Sequence, residues 1–179
     1  VIVDPIFKRG QSMEGKTCCV TGHRTIPKSE LERVREELER EIRIAVAEGY
    51  THFISGFAEG ADLLFADIVL RLKQESPYLT LEAALPYALR VRTNDREFHR
   101  LFSRCDKVTV LAPCYYAGCY GKRNRYMVDA SQRVIAVYDG RKTGGTASTL
   151  RYAIGKEIRV VYSGEPEQKT DIQKNFREI

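Results

Sequence analysis

Residues 53–67, FISGFAEGADLLFAD, carry the reading that decides the fold. A short apolar run ends at Gly56, a second glycine follows at Gly60, and a helical pattern starts at once with Leu63, Leu64 and Ala66. A strand that turns through glycines into a helix brings backbone close to a guest. The first free N–H groups of the helix then form a partly positive anion pocket. The same sequence of events recurs at VIAVYDG (134–140) followed by RKTGGTASTLRYA (141–153).

Outward from these junctions, strand and helix patterns alternate along the chain. TCCVT (17–21) reads as a short buried strand. The stretch from Ser29 to Gly49 reads as a helix, with Ser29 and Glu32 spaced as a capping box and Leu31, Val34, Leu38, Ile42 and Ala45 at helical spacing. A strand at 51–56 leads into a helix from about Gly60 to Gln74, and LTLEAALP (79–86) leads into a helix near Asp95–Arg104 with Phe98, Leu101, Phe102 and Cys105 as its apolar stripe. KVTVLAP (107–113), a helix over 122–131, RVIAVYDG (133–140), TASTLRYAIGK (146–156) and IRVVYSG (158–164) complete the series. Strands that alternate with helices predict a three-layer, Rossmann-like α/β sandwich with a mostly parallel sheet of about six strands.

Length and composition bound the function. The 179 residues suit one domain over 16–164, with residues 1–15 expected to be a disordered or vector-derived segment ahead of or around Met13, and 165–179 a polar tail. A hydrophobic fraction of 43% with 30% charged residues and no apolar run near membrane-spanning length excludes a membrane protein. Five cysteines, two of them adjacent at Cys18 and Cys19, fit reduced thiols and a cytoplasmic protein. Cys114 and Cys119 lack histidines at ligand spacing, so no metal is expected. The net charge of +5 favours anionic partners, but the excess is spread out, which supports nucleic acid only weakly.

Ligands of such sheets bind beyond the carboxyl ends of the strands. That rule selects four loops: 22–29, 56–62, 113–124 and 139–146. Thr21, Gly22, His23 and Arg24 put a hydroxyl, a glycine turn, an imidazole and a guanidinium after the first strand, where Arg suits a bidentate grip on phosphate; a plain tight turn with surface side chains is the alternative. Ser55, Gly56, Glu59, Gly60 and Asp62 surround the second junction. Its two carboxylates read either as ribose-hydroxyl acceptors or as helix caps, and they are the candidates for general acid or base. Gly144, Gly145 and Thr146, beside Arg141 and Lys142, read as a phosphate cradle or a flexible turn. Neither GxxxxGK[ST] nor GxGxxG is present, so P-loop hydrolysis and ordinary dinucleotide binding lack support. Arg92, Arg96, Arg100 and Arg104 fall on one helical face, either solvated or a rail for a polyanion, and Tyr115, Tyr116 and Tyr120 suit base stacking or a subunit contact.

TGHR (21–24), SGFAEGAD (55–62), RNRYMVD (123–129) and GGTASTLRYA (144–153), in this order, resemble the YpsA-like branch of the SLOG superfamily, which also holds the Smf/DprA and LOG proteins. The resemblance covers roughly residues 16–162. It implies a Rossmann-like sheet whose strand-end loops bind a nucleotide or nucleotide-derived ligand, in a homo-oligomer with a sensor or effector role and no required cofactor. It adds Arg123 and Asn124 to the pocket formed by the residues already named. Two departures matter. YpsA-like members read GGALGFD at the second junction, and LOG phosphoribohydrolases carry PGGxGTxxE with a catalytic glutamate, where this chain runs GGTASTLRYA. The missing carboxylate counts against that hydrolase chemistry. An enzyme acting on an N-glycosidic bond through Glu59 or Asp62 and a single-stranded DNA-binding accessory protein stand as the alternatives.

Overall fold

The computed structural model describes residues 15–164. The expectations for 165–179 and for nearly all of 1–15 therefore lie outside the described residues. Six strands, β1 (Lys16–Gly22), β2 (Tyr50–Ser55), β3 (Thr80–Leu85), β4 (Lys107–Val110), β5 (Arg133–Tyr138) and β6 (Glu157–Tyr162), form one sheet in the order β4-β3-β2-β1-β5-β6, and every neighbouring pair is parallel. The helices are α1 (Leu31–Ala47), α2 (Ala61–Glu75), α3 (Arg96–Phe102), α4 (Cys119–Asp129) and α5 (Gly145–Tyr152), with a 3₁₀ turn at Ala88–Arg92. This is the expected three-layer α/β architecture.

Alternation along β1 sorts the two layers. Cys18 and Val20 face a core shared with α1, α2 and α3, whereas Cys19 faces the smaller core of Met127 and Val128 on α4. The chain steps outward from β1 to β4, then returns through α4 to β5 on the other side of β1. Crossover direction thus reverses between β1 and β5, and a crevice opens at their carboxyl ends.

Local patterns explain most of the helices. Val34, Leu38, Ile42 and Ala45 of α1 are buried as their spacing predicts, each large aliphatic contributing about 1.5–3 kcal/mol. Leu31 remains 38% exposed because it is the first residue of the helix and looks past the core edge. The Ser29–Glu32 capping box does not form. Glu30 occupies the N-cap without a side-chain cap, since its N–H donates to the Pro27 carbonyl (2.9 Å) and its carboxylate is held by Arg33. α2 lies beside α1 and α3 over the sheet and is buried around most of its circumference. α3 is capped by Asp95, whose carboxylate accepts from the N–H groups of Glu97 and Phe98. α4 begins three residues earlier than its pattern predicts, because Gly118 adopts a left-handed φ of 101° and releases the chain directly into the buried Cys119.

Polar groups seal the amino-terminal rim and one flank of the sheet. Arg133 is buried beneath the Tyr50 ring, 4.5 Å from its centroid, and is held by Glu48 and Glu157. On the α4 side Glu82, fully buried, accepts from Tyr126 Oη (2.6 Å), His52 Nε2 (2.8 Å) and Lys107 Nζ (3.0 Å). Burial by itself would raise the Glu82 pKa, but these donors, with Thr109, hold it down at about 2. The lowered value contributes stability that is complete above the ordinary glutamate range and is lost as pH falls from 4.5 towards 2. Glu82→Gln is expected to lower the unfolding free energy at pH 7 by about 2–3 kcal/mol. In urea melts taken at several pH values, its difference from the parent should narrow as pH falls below about 4.5 and close only near about pH 2, where the parent carboxylate protonates.

Candidate functional site

The carboxyl ends of β1 and β5 open onto a cleft of about 340 Å³ lined by Thr21, Gly22, His23, Arg24, Ala58, Asp62, Tyr120, Arg123, Asn124, Gly145 and Thr146, with Val20 and Met127 at its base. Beside it lies a second hollow of about 260 Å³, lined by Arg24, Gly56, Ala58, Glu59, Pro86, Tyr87, Arg90, Thr93 and Tyr120. Arg24, Ala58 and Tyr120 are common to both and form the wall between them.

Two of the glycines here have a steric reason. A Cβ on Gly22 would lie 2.4 Å from Ala61 Cβ and 2.9 Å from Val137 Cβ, so this residue lets α2 and β5 close over the end of β1. A Cβ on Gly56 would lie 1.2 Å from Arg123 NH1 and 2.7 Å from Asp62 Oδ2. The guanidinium therefore passes over the bare backbone of Gly56, and NH1 reaches Asp62 Oδ2 at 3.2 Å. Both partners are only 6% exposed, and Arg123 Nε is buried with no hydrogen-bond partner among the described residues. Asp62 Oδ2 also accepts from the Ala58 N–H (3.2 Å), while Oδ1 has no hydrogen-bond partner among the described residues. Burial pushes the Asp62 carboxyl upward, and the Arg123 charge only partly offsets it.

The two helix N-termini differ. At α2 the Ala61 N–H donates to the His23 carbonyl (3.1 Å) and Asp62 stands in the first turn, so this end is already occupied. At α5 no side chain caps the helix and no acid lies in the first turn. The anion pocket expected at both junctions is thus left open only at α5, where Gly145 and Thr146 face the cleft. Asn124 fixes that terminus: its Nδ2 donates to Thr149 Oγ1 (2.8 Å), which donates to the Gly145 carbonyl (2.8 Å).

Several residues named from the sequence sit elsewhere. Ser55 is buried behind the junction, where its hydroxyl donates to the Asp62 carbonyl and accepts from the Phe57 N–H. Gly60 has φ 76°, and its Cα abuts the carbonyls of His23 and Arg24, so it serves loop packing. Gly144, with φ 100°, turns the chain into α5 without lining either hollow. Glu59 and Asp62, considered together from the sequence, face different hollows. Arg141 is engaged by Asp139 rather than by the cleft, and Arg100 of the basic helix face is bound by Glu97 and Asp67.

His23 stacks on Tyr138, with centroids 5.8 Å apart, and its Nε2 lies 2.8 Å from Asp139 Oδ1. Burial lowers its pKa below the ordinary imidazole value; Asp139 pulls the other way, but Arg141 shares that carboxylate and limits its effect. Sequence reasoning did not name Asp139, Tyr87, Arg90 or Met127 as site residues, although Asp139 opens the selected loop 139–146 and Met127 lies within RNRYMVD; Tyr87 and Arg90 carried no local signal. Tyr120 carries Arg24 over its ring at 5.4 Å and meets Tyr87 edge-on at 6.3 Å. Tyr115 packs against Tyr87 from outside, and Tyr116 is exposed. Among the described residues no group of three His, Cys, Asp or Glu side chains comes together as metal ligands, all five cysteines are free, and no helix is long and apolar enough to cross a membrane.

Replacing Gly56 with alanine displaces the Arg123 guanidinium and leaves Asp62 buried without its partner. Gly56→Ala is expected to cost about 3 kcal/mol, a fall of roughly 6–12 °C in the melting midpoint, read by calorimetry.

Comparison with known proteins agrees with the geometry of the fold. The family model described as the YspA SLOG family, YpsA, matches residues 18–163. UPF0398 protein BH1768 of Halalkalibacterium halodurans is 25% identical over 135 residues, which cover 72% of this chain and 71% of that protein. Among solved structures, DNA processing protein A from Helicobacter pylori, described for its single-stranded DNA binding mode, superposes with a TM-score of 0.62 at 18% identity, covering 92% of this chain and 80% of its own. TM1055 superposes with a TM-score of 0.50 at 15% identity, covering 89% and 99%. At such identities the structural likeness concerns the fold alone. Because the family match runs from within β1 to just past β6, the chain belongs to the YspA SLOG family.

Proposed function

We propose that this protein binds a nucleotide or nucleotide-derived ligand in the cleft at the carboxyl ends of β1 and β5, as a sensor or effector. The observation that carries the reading is the buried Arg123, whose Nε lacks a partner, beside the uncapped, acid-free N-terminus of α5. A guanidinium and a helix N-terminus that converge on one space are complementary to a phosphate. Gly22 and the Gly145–Thr146 turn supply close backbone approach, Arg24 a second cation, and Asp62 Oδ1 an acceptor for a ribose hydroxyl. His23, kept towards its neutral form by burial, offers hydrogen bonding rather than charge.

One observation favours a second reading. A buried carboxyl with a raised pKa and a free oxygen in a nucleotide-sized cleft is the kind of group that assists cleavage of an N-glycosidic bond. In that reading Asp62 acts without Glu59. Chromatographic detection of free base released from nucleotides, lost in Asp62→Asn, is the outcome that supports it; absence of release from every nucleotide tried removes it. The third possibility, single-stranded DNA along the α3 arginines, is weakened because Arg100 is already neutralised by Glu97 and Asp67.

Gly145→Asp separates folding from binding. A Cβ there has open space, and an acid in the first turn favours the α5 dipole, so the free protein is expected to melt at or slightly above the parent temperature. The same acid repels phosphate, so the thermal shift produced by nucleotides in the parent is expected to vanish. A parent that shows no shift with any nucleotide would falsify the binding reading.

A further inference from the structure

Asp62 depends on one close counter-charge. Its side chain is shielded from water, and both groups that touch it, the Arg123 guanidinium and the Ala58 N–H, meet Oδ2 at 3.2 Å. The positive end of α2 also favours its ionised form. Around it stand Arg123 and Tyr120 of α4, His23 and Arg24 of the loop after β1, Cys19 of β1, and Glu59 of the loop that leads into α2. None of these replaces Arg123. Cys19 is buried and uncharged, with its thiol pushed up to about 12, and Glu59 opens into the neighbouring hollow. His23 is engaged by Asp139 at 2.8 Å, and Arg24, held over the Tyr120 ring, acts on Asp62 more weakly than Arg123 does.

An anion in the cleft competes with this carboxylate for the same guanidinium. Arg123 lines the cleft with its Nε buried and unpartnered among the described residues, and the uncapped end of α5 faces the same space. An anion held there by Arg123 takes up the charge on which Asp62 relies, and adds a like charge beside a carboxyl already withdrawn from water. Both effects favour the protonated acid, and burial already pushes the Asp62 carboxyl upward in the free protein. A protonated Asp62 keeps its bond from the Ala58 N–H on Oδ2. It gains a donor at Oδ1, the oxygen with no partner among the described residues.

Resting on the reading of the cleft as an anion site, we propose that the protein binds its anionic ligand together with a proton: Asp62, ionised and paired with Arg123 in the free protein, protonates as the ligand takes over Arg123. One proton passes from solvent to Asp62 Oδ1, and no other bond to hydrogen is made or broken. The sign follows from this uptake. Affinity rises as pH falls, by up to about 10-fold per pH unit between the Asp62 pKa of the free protein and that of the complex, and levels off where Asp62 is protonated in both. His23 gaining a proton favours an anion in the same direction, so substitution must tell the two apart. Ligand and acid thus act on one contact, the clasp between α2 and α4.

Titration calorimetry on the purified protein tests the proposal with sulfate and with cyclic AMP, anions that do not titrate near neutral pH. Each is titrated in two buffers of unlike ionisation enthalpy at several values between about pH 5 and pH 8, so that the difference in heat counts the protons taken up. The parent is expected to take up about half to one proton per anion bound, with affinity rising as pH falls. Asp62→Asn, whose amide still accepts from the Ala58 N–H but cannot titrate, is expected to lose the uptake, and His23→Gln to keep it. Binding without uptake in the parent, or uptake that survives Asp62→Asn and disappears in His23→Gln, overturns the proposal and leaves the anion site intact. Should Asp62→Asn fail to fold, the infrared difference spectrum of the parent with and without sulfate decides. A carboxylic-acid C=O band that appears on binding supports protonation, and its absence overturns it. If neither probe binds, the anion reading of the cleft fails and the proposal goes with it.

Discussion

Arg123 and Asp62 meet across the bare backbone of Gly56, 3.2 Å apart and almost wholly shielded from water. Arg123 comes from α4, packed on one face of the sheet, and Asp62 from α2, packed on the other. Their bond is therefore a clasp between the outer layers, made where the strands end. Taking two charges out of water costs several kcal/mol per ion, a cost that mutual attraction recovers only with good geometry and further hydrogen bonds. The pair is only partly satisfied: Arg123 Nε and Asp62 Oδ1 are left over. Both residues also line the cleft at the ends of β1 and β5.

The rest of the edge follows from that clasp. With Asp62 turned back onto Ala58 and Arg123, and the Ala61 N–H given to the His23 carbonyl, the end of α2 is electrically closed. The free dipole end is then α5, which Asn124 holds through Thr149. Since Asn124 adjoins Arg123 on α4, one helix positions both the guanidinium and the helix terminus that face the cleft. At the opposite rim Arg133 is held by Glu48 and Glu157 beneath the Tyr50 ring, while its Nε and Nη1 are likewise buried without a hydrogen-bond partner among the described residues.

Membership of the YspA SLOG family fits this arrangement, and the chain's own departures fall one in each hollow. Glu59, in the stretch where the SLOG resemblance breaks from its usual wording, lines the hollow that adjoins the cleft at the ends of β1 and β5. The helix after Gly145 carries no acid in its first turn, so no neighbouring carboxylate offsets its positive end.

The sequence by itself determined what is local. Glycines after apolar runs announced the strand–helix junctions, 3.6-residue spacing announced the buried stripe of α1, and alternation of elements announced the parallel sheet, because each depends on interactions within a few residues. Thr21, Gly22, His23, Arg24, Asp62, Gly145 and Thr146 were legible as one edge for the same reason, whereas Arg123 and Asn124 came only from the family resemblance. Only the tertiary structure decided the division of labour: that α2 is closed and α5 open, that Glu59 and Asp62 part company, that Ser55, Gly60 and Gly144 serve packing, and that Tyr87, Arg90 and Tyr120 build a second hollow. Those outcomes turn on segments that are distant in sequence meeting at the sheet edge, where the partner of a side chain is chosen by packing and not by its neighbours in the chain.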